Sequence, residues 1–309
     1  MARCPRSFGA LAAVLVLVAA GCGGDENARP DLVFVSSRDG DYAIFEMNAD
    51  GAAQRRLTEM TDEAHGDMSD DVFFQIEPAW SPDGTQIAFA SGRTGSSDLF
   101  VMRADGTGTT QLTSTEENDS HPTWSPDGSA IAFSRSGDIY VMNADGSDAR
   151  RISDIGAEES DPAWSPDGEL IAYVRRTPGG PQQEVWVMRP DGSERRALTK
   201  QNGRAFTPSW SPDSTRIVFS TKTEGDFYEL YTIGVDGKGL NQVVPTAGDN
   251  FEPAWSPDGS KIAYQEEGAI FTIELGGDDV ERLTDQANND SSPAWNPVAA
   301  DEGGSDQAE

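Results

Sequence analysis

Apolar residues in this chain come in short blocks, such as Leu32-Val33-Phe34-Val35, Ile131-Ala132-Phe133 and Ile139-Tyr140-Val141-Met142, set between polar turns that carry Asp-Gly. Aromatic and β-branched residues fill these blocks, which predicts strands, and no amphipathic helical pattern of useful length competes. The blocks repeat. Trp-Ser-Pro-Asp-Gly begins at Trp80, Trp124, Trp164 and Trp255, Trp-Ser-Pro-Asp-Ser at Trp210, and a shortened Trp-Asn-Pro at Trp295, so successive tryptophans are 44, 40, 46, 45 and 40 residues apart. A second signature, Tyr140 to Gly146 in one copy, also occurs six times. Each copy is followed by Leu-Thr or a relative of it, as at Leu57-Thr58 and Leu283-Thr284, although the fifth copy drifts to Val243-Val244-Pro245.

Each unit therefore reads as four short strands: one at the tryptophan, two in the apolar blocks, and one at the Leu-Thr. Pro-Asp-Gly closes the first hairpin, because Pro presets φ and Gly accepts a positive φ; Asn-Ala-Asp-Gly closes the third in the same way. Four strands at this period predict an all-β fold, a six-bladed β-propeller of four-stranded antiparallel blades. The series opens at Asp31-Leu32-Val33-Phe34 with a second-strand sequence and closes at Ser292 to Trp295 with a Trp strand lacking followers. The carboxy-terminal strand is thus expected to complete the first blade, pairing edges that would otherwise be exposed. On this reading the propeller spans 31–297 and an acidic, disordered tail follows over 298–309.

Ahead of the repeats, Arg3 and Arg6 precede an apolar run from Ala10 to Ala20 and then Gly21-Cys22. That run is too short to span a bilayer and has the layout of an export signal. Val18-Ala19-Ala20-Gly21-Cys22 resembles a bacterial lipobox, which implies a signal peptide over 1–21, lipidation of Cys22 and a polar tether over 22–30. The mature chain would then lie on the extracytoplasmic side and touch the membrane only through its lipid.

The Trp-Ser-Pro-Asp-Gly and Asn-Ala-Asp-Gly repeats, from Asp31 to Pro297, resemble the TolB-type propellers of bacterial envelopes, a WD-like repeat family. The resemblance covers the propeller alone, since only residues 23–30 stand where a preceding α/β domain would be. It implies a monomeric, non-catalytic scaffold that binds a protein or peptide in the cell envelope and requires no cofactor. Similar repeats also occur in metal-dependent sugar lyases, which keeps a carbohydrate-active enzyme open as an alternative.

Charge narrows the partners. Asp and Glu number 53 against 23 Lys and Arg, a net charge of −30, which speaks against nucleic acid as a ligand. Two histidines leave little for imidazole-based metal or proton-transfer chemistry. No G-x-S-x-G nucleophile elbow is present.

Repeat lengths point to one face. Five of the intervals from the Asp-Gly turn to the next Trp are 18 residues, but Gly51 to Trp80 is 29, placing an insertion within Thr61 to Phe74. The hairpin between strands two and three also varies in length, and in an up-and-down blade it shares a face with the interblade connection. Insertions concentrated on one face mark that face for binding. The insertion offers Asp62, Glu63, His65, Asp67, Asp70 and Asp71 with Phe73 and Phe74 as apolar anchors; a solvated acidic run is the bland alternative. On the same face Arg38, Arg93, Arg135, Arg175 and Lys222 recur where strand two enters its hairpin, with Glu266 breaking the series. They would either receive a partner's carboxylates or pair with the acidic loops of their own chain. Finally, Glu77, His121, Asp161, Thr207, Glu252 and Ser292 each precede Pro-x-Trp, one per blade, near the expected channel mouth. Glu77, His121, Asp161 and Glu252 could hold calcium or manganese there, as a cation sensor or lyase would, or could simply form a hydrated polar entrance.

Overall fold

The computed structural model describes residues 30–58, 75–153, 156, 158–176, 179–180, 182–200, 203–222, 227–243, 248–276 and 279–299. The signal segment, Cys22 and its tether as far as Arg29, the insertion residues Asp62 to Phe74, and the tail from 300 onward lie outside the described residues.

All regular structure is β apart from a 3-10 turn at Gln286–Asn288, among the described residues. A first sheet contains β1 (Leu32–Ser36), β2 (Ala43–Met47), β3 (Arg55–Arg56) and β24 (Ser291–Trp295), in the order β24-β1-β2-β3. The second comprises β4 (Gln75–Trp80), β5 (Gln86–Ser91), β6 (Asp98–Arg103) and β7 (Thr110–Gln111). The third comprises β8 (Asp119–Trp124), β9 (Ala130–Arg135), β10 (Asp138–Asn143) and β11 (Arg150–Arg151). An eight-stranded sheet follows, made of two antiparallel sets. One set holds β12 (Glu158–Trp164), β13 (Ile171–Arg176), β14 (Gln183–Met188) and β15 (Arg196–Ala197). The other holds β16 (Arg204–Trp210), β17 (Arg216–Lys222), β18 (Glu229–Gly234) and β19 (Asn241–Gln242), joined to the first by a single parallel bridge, Gln183 to Arg204. The last sheet is β20 (Asn250–Trp255), β21 (Lys261–Glu266), β22 (Ala269–Glu274) and β23 (Val280–Arg282). The all-β, four-stranded antiparallel expectation is met.

The core lies between sheets rather than within one. Val33 and Ile44 of the first sheet pack on Trp80, Ile87, Phe89 and Phe100 of the second, while Phe34 and Phe45 face the opposite way onto Ala263 and Ile270. Both faces of β1 and β2 are therefore buried, which is why Leu32-Val33-Phe34-Val35 reads as a continuous apolar run rather than an alternating one. Leading strands sit side by side: β4 adjoins β8, β8 adjoins β12, β12 adjoins β16, β16 adjoins β20, β20 adjoins β24, and β24 adjoins β4.

Two turn types lock the units. In Ser81-Pro82-Asp83-Gly84 the Asp83 carboxylate accepts from Ser81 Oγ at 2.7 Å and Thr85 N at 3.0 Å, and Ser81 Oγ accepts from Gln86 N at 2.9 Å. The Asp-Gly of the second signature is pressed against the neighbouring sheet. A Cβ at Gly51 would lie 2.5 Å from the Leu283 carbonyl oxygen, and one at Gly146 would lie 2.6 Å from that of Leu112. With φ of 78° and 87°, these positions take glycine for conformation and for space alike.

Candidate functional site

Each leading strand carries a break in register just after its start, for example between Ile76 and Ala79, Ser120 and Thr123, and Phe206 and Ser209. At each break stands a residue with a left-handed backbone: Glu77 (φ 57°), His121 (50°), Asp161 (54°), Thr207 (45°), Glu252 (52°) and Ser292 (49°). None is glycine, and each precedes a proline, which further restricts its backbone toward the extended region. Six bulges in register thus turn six side chains toward a common axis. Together with their prolines they line one cavity of about 150 Å³.

The six residues form three pairs. The Glu77 carboxylate accepts from His121 N at 2.5 Å, Asp161 from Thr207 N at 3.4 Å, and Glu252 from Ser292 N at 2.6 Å. Acids thus alternate with their partners around the pit. The tryptophans alternate too: the indoles of Trp124, Trp210 and Trp295 donate to the carbonyls of Ala79, Ala163 and Ala254 on the preceding leading strand. Trp80 and Trp255 indoles find no acceptor among the described residues.

His121 bridges the acids. Its Nε2 lies 3.2 Å from Glu77 Oε1 and 3.2 Å from Asp161 Oδ1, and its Nδ1 lies 3.1 Å from Ser120 Oγ. The imidazole is hemmed in by protein yet 32% exposed to the mouth of the pit. Burial pulls its pKa down, but the charges of Glu77, Asp161 and Glu252 outweigh this and hold it above the ordinary value. Burial pushes the Glu252 carboxyl up, only partly offset by the Ser292 amide and His121. His121 is thus the side chain that links two of the pit's three acids. Among the described residues no group of three or more His, Cys, Asp or Glu is arranged to hold a metal ion.

The recurrent cations are engaged within the chain. Arg135 makes a two-pronged pair with Asp119 at 2.6 and 2.7 Å, Arg38 meets Asp290 at 3.0 Å, and Arg175 meets Glu159 at 3.3 Å. The guanidinium groups also lie over rings of their own sheet: Arg38 over Phe45, Arg93 over Phe100, Arg135 over Tyr140 and Arg175 over Trp186, each within 4.9 Å of the centroid. Lys222 Nζ lies 5.9 Å from the Tyr228 ring centre. Of the two roles open to these cations, self-pairing has visible geometry. Its acids, however, are fully buried strand-start residues rather than acidic loops.

Sequence reasoning passed over two features. One is that buried series, Asp119, Glu159 and Asp290, two residues before the ring positions. The other is an aromatic wall: Phe206, Tyr228 and Phe251 stand with Asp161 and Glu252 around a larger cavity of about 720 Å³ next to the pit. Its signal was present, since Phe206 and Phe251 precede ring positions where Ser120, Ser160 and Ser291 stand in other repeats. Tyr228, three residues before Tyr231, aligns with Tyr42 before Phe45 and with Ser97 before Phe100, so its place in the repeat was legible too.

The TolB beta propeller domain profile matches residues 63–242, more than half of the chain. The chain belongs to that family. Among solved structures, TolB from Acinetobacter baumannii is similar at a TM-score of 0.72 and 20% identity, covering 86% of this chain; the chain spans 66% of that TolB, just under two thirds. A TolB-type protein from Agrobacterium tumefaciens gives 0.65 and 19%, over 87% of this chain and 99% of the other. An oligogalacturonate lyase in complex with manganese is more distant, at 0.52 and 16%, over 79% and 85%. No curated protein matches significantly in sequence. At these identities the structural likenesses speak for fold. No helix among the described residues is long and apolar enough to cross a membrane.

Proposed function

We propose that this TolB-family chain is a non-catalytic binding scaffold of the cell envelope, whose six four-stranded units close into a six-bladed propeller that recognises a protein or peptide at the face bearing the axial pit. The ring of six left-handed, non-glycine residues ahead of prolines carries this reading. Each such backbone costs about 1–3 kcal/mol, and strain of that kind is retained where side chains must be held in place for function. Hydrogen bonds support the choice of face. Gln75 N donates to Tyr42 O, Asp119 N to Ser97 O and Asn250 N to Tyr228 O, so these incoming strands start beside the neighbouring hairpin. The lipid anchor at Cys22 and the extracytoplasmic location belong to the same proposal and rest on the amino-terminal sequence.

Crosslinking with mass spectrometry on membranes carrying the protein tests it. Wild type should capture one reproducible protein. A Glu77→Gln, Asp161→Asn, Glu252→Gln variant and a variant lacking 62–74 should each lose it while unfolding at a temperature close to wild type. Capture by both variants would remove this face from consideration. Saturable binding of calcium or manganese by wild type, lost from the triple variant together with turnover of an acidic polysaccharide, would favour the lyase alternative.

A further inference from the structure

The cavity of about 720 Å³ beside the pit differs from the pit in chemistry. It is large enough for the side chain and flanking backbone of a peptide, and far too large for a bare metal ion. Its lining carries the carboxyl groups of Asp161 and Glu252, with His121 beside Asp161, and an aromatic wall of Phe206, Tyr228 and Phe251. Phe206 meets Tyr228 edge-on at 5.5 Å between centroids, and Tyr228 meets Phe251 at 5.0 Å. All three rings are partly exposed rather than sealed in the core.

Carboxylates beside open aromatic faces select a planar cation. The chain itself supplies worked instances: in the first and third sheets Arg38 and Arg135 each lie over two rings and pair with a buried carboxylate. An ammonium could use the same charge, but only guanidinium combines stacking with a two-pronged carboxylate contact. In the sheet that contributes Phe251, the cation series is broken by Glu266, next to the cavity-lining Gln265, which shifts the local charge further toward acid. Lys222, over Tyr228, is the chain's own cation at that rim. A net charge of −30 adds long-range attraction for a basic partner.

We infer that the groove between the aromatic wall of Phe206, Tyr228 and Phe251 and the carboxylates of Asp161 and Glu252 receives the guanidinium of an arginine side chain presented by the bound protein or peptide. This rests on the reading of the pit face as a binding face and names the chemistry recognised there. The arginine stacks on Phe251 or Phe206 and donates to the carboxylates, leaving the peptide backbone to the polar rim of Gln183 and Gln265.

Calorimetric titration of the full chain at physiological salt tests the inference, with acetyl-Gly-Arg-Gly-amide as the probe and its citrulline counterpart as the neutral isostere. Saturable binding of the arginine peptide with a Kd on the order of 1 mM is expected. Citrulline, Phe251→Ala and Glu252→Gln should each weaken it about tenfold or more. Thermal unfolding of the two variants verifies that they fold; should Phe251→Ala unfold, Phe251→Leu keeps the packing and removes the stacking face. Equal binding of arginine and citrulline peptides overturns the inference, as does indifference to both substitutions. Agmatine that binds while the blocked peptide does not overturns it in favour of a free small cation. If the peptide fails while the crosslinked partner is still captured at the pit face, the arginine is wrong and the binding face stands. If the peptide binds and no partner is captured, the cavity stands and the scaffold reading falls.

Discussion

At the scale of single residues, two positions carry energies that can be read independently of any partner. Glu159 is fully buried, neither carboxylate oxygen has a hydrogen-bond partner among the described residues, and Arg175 stands 3.3 Å away. Burial pushes its pKa up to about 7, with the Asp138 charge adding to the shift and Arg175 and Arg151 opposing it. A folded-state pKa above the ordinary 4.5 means the folded chain holds the proton more tightly, so this group's contribution to stability falls as pH rises from 4.5 to about 7. The loss would reach about 3 kcal/mol at the full shift. Glu159→Gln should flatten stability over that window, measured by urea unfolding at several pH values; an unchanged slope would mean the carboxyl ionises without cost. Thr207 is β-branched, sits at φ 45° and leaves its buried hydroxyl without a partner among the described residues. Thr207→Gly should therefore raise stability by about 1 kcal/mol, the relief of strain exceeding the added freedom of the unfolded chain. A lowered melting temperature would show that the threonine contributes packing that outweighs its strain.

Among the elements, the Ser-Pro-Asp turn explains why the sequence repeats as it does. In its third-sheet copy the Asp127 carboxylate accepts from Ser125 Oγ, Ser129 N and Ser129 Oγ, and these bonds hold its pKa at about 2. Hydrogen bonds from Ser81, Ser211 and Ser256 likewise lower the pKa of Asp83, Asp213 and Asp258. A depressed carboxyl stabilises the fold above its ordinary value of 3.8 and loses that contribution as pH falls toward 2. Stability should decline across this window, and changing the four aspartates to asparagine should flatten the decline, as followed by circular dichroism during acid titration. These turns were legible because their bonds are local: Ser, Asp and the following residue lie within five positions. The bulges at the ring positions were not. The proline that marks them is visible in sequence, but a left-handed residue ahead of proline runs against local preference and exists only because neighbouring strands hold it.

For the whole molecule, the clearest consequence concerns β24. It pairs with β1 through Trp295 to Leu32 and Ala294 to Val33, and the Trp295 indole donates to Ala254 of the last sheet. The chain's last strand thereby joins its first sheet to its last. Truncation after Asp290 should expose the β1 edge and abolish cooperative unfolding, seen as a broad thermal transition in place of a sharp one. A sharp transition at the wild-type temperature would mean that the sheets hold together without this strand.

The sequence by itself determined what depends on neighbours in the chain and on period: strand identity, four strands per repeat, the two turn types, and the positions of the core tryptophans. It also brought Glu77, His121, Asp161, Thr207, Glu252 and Ser292 into one register, because equivalent positions of a repeat fall at equivalent places in space. Only the tertiary structure decided what those positions do to one another. His121 lies between Glu77 and Asp161, Arg135 is committed to Asp119, and Phe206, Tyr228 and Phe251 meet across two sheets. These contacts join residues 16 to 44 positions apart. Side-chain direction at a bulge and burial of a charge are set by the packing of neighbouring sheets, and local pattern carries no record of either.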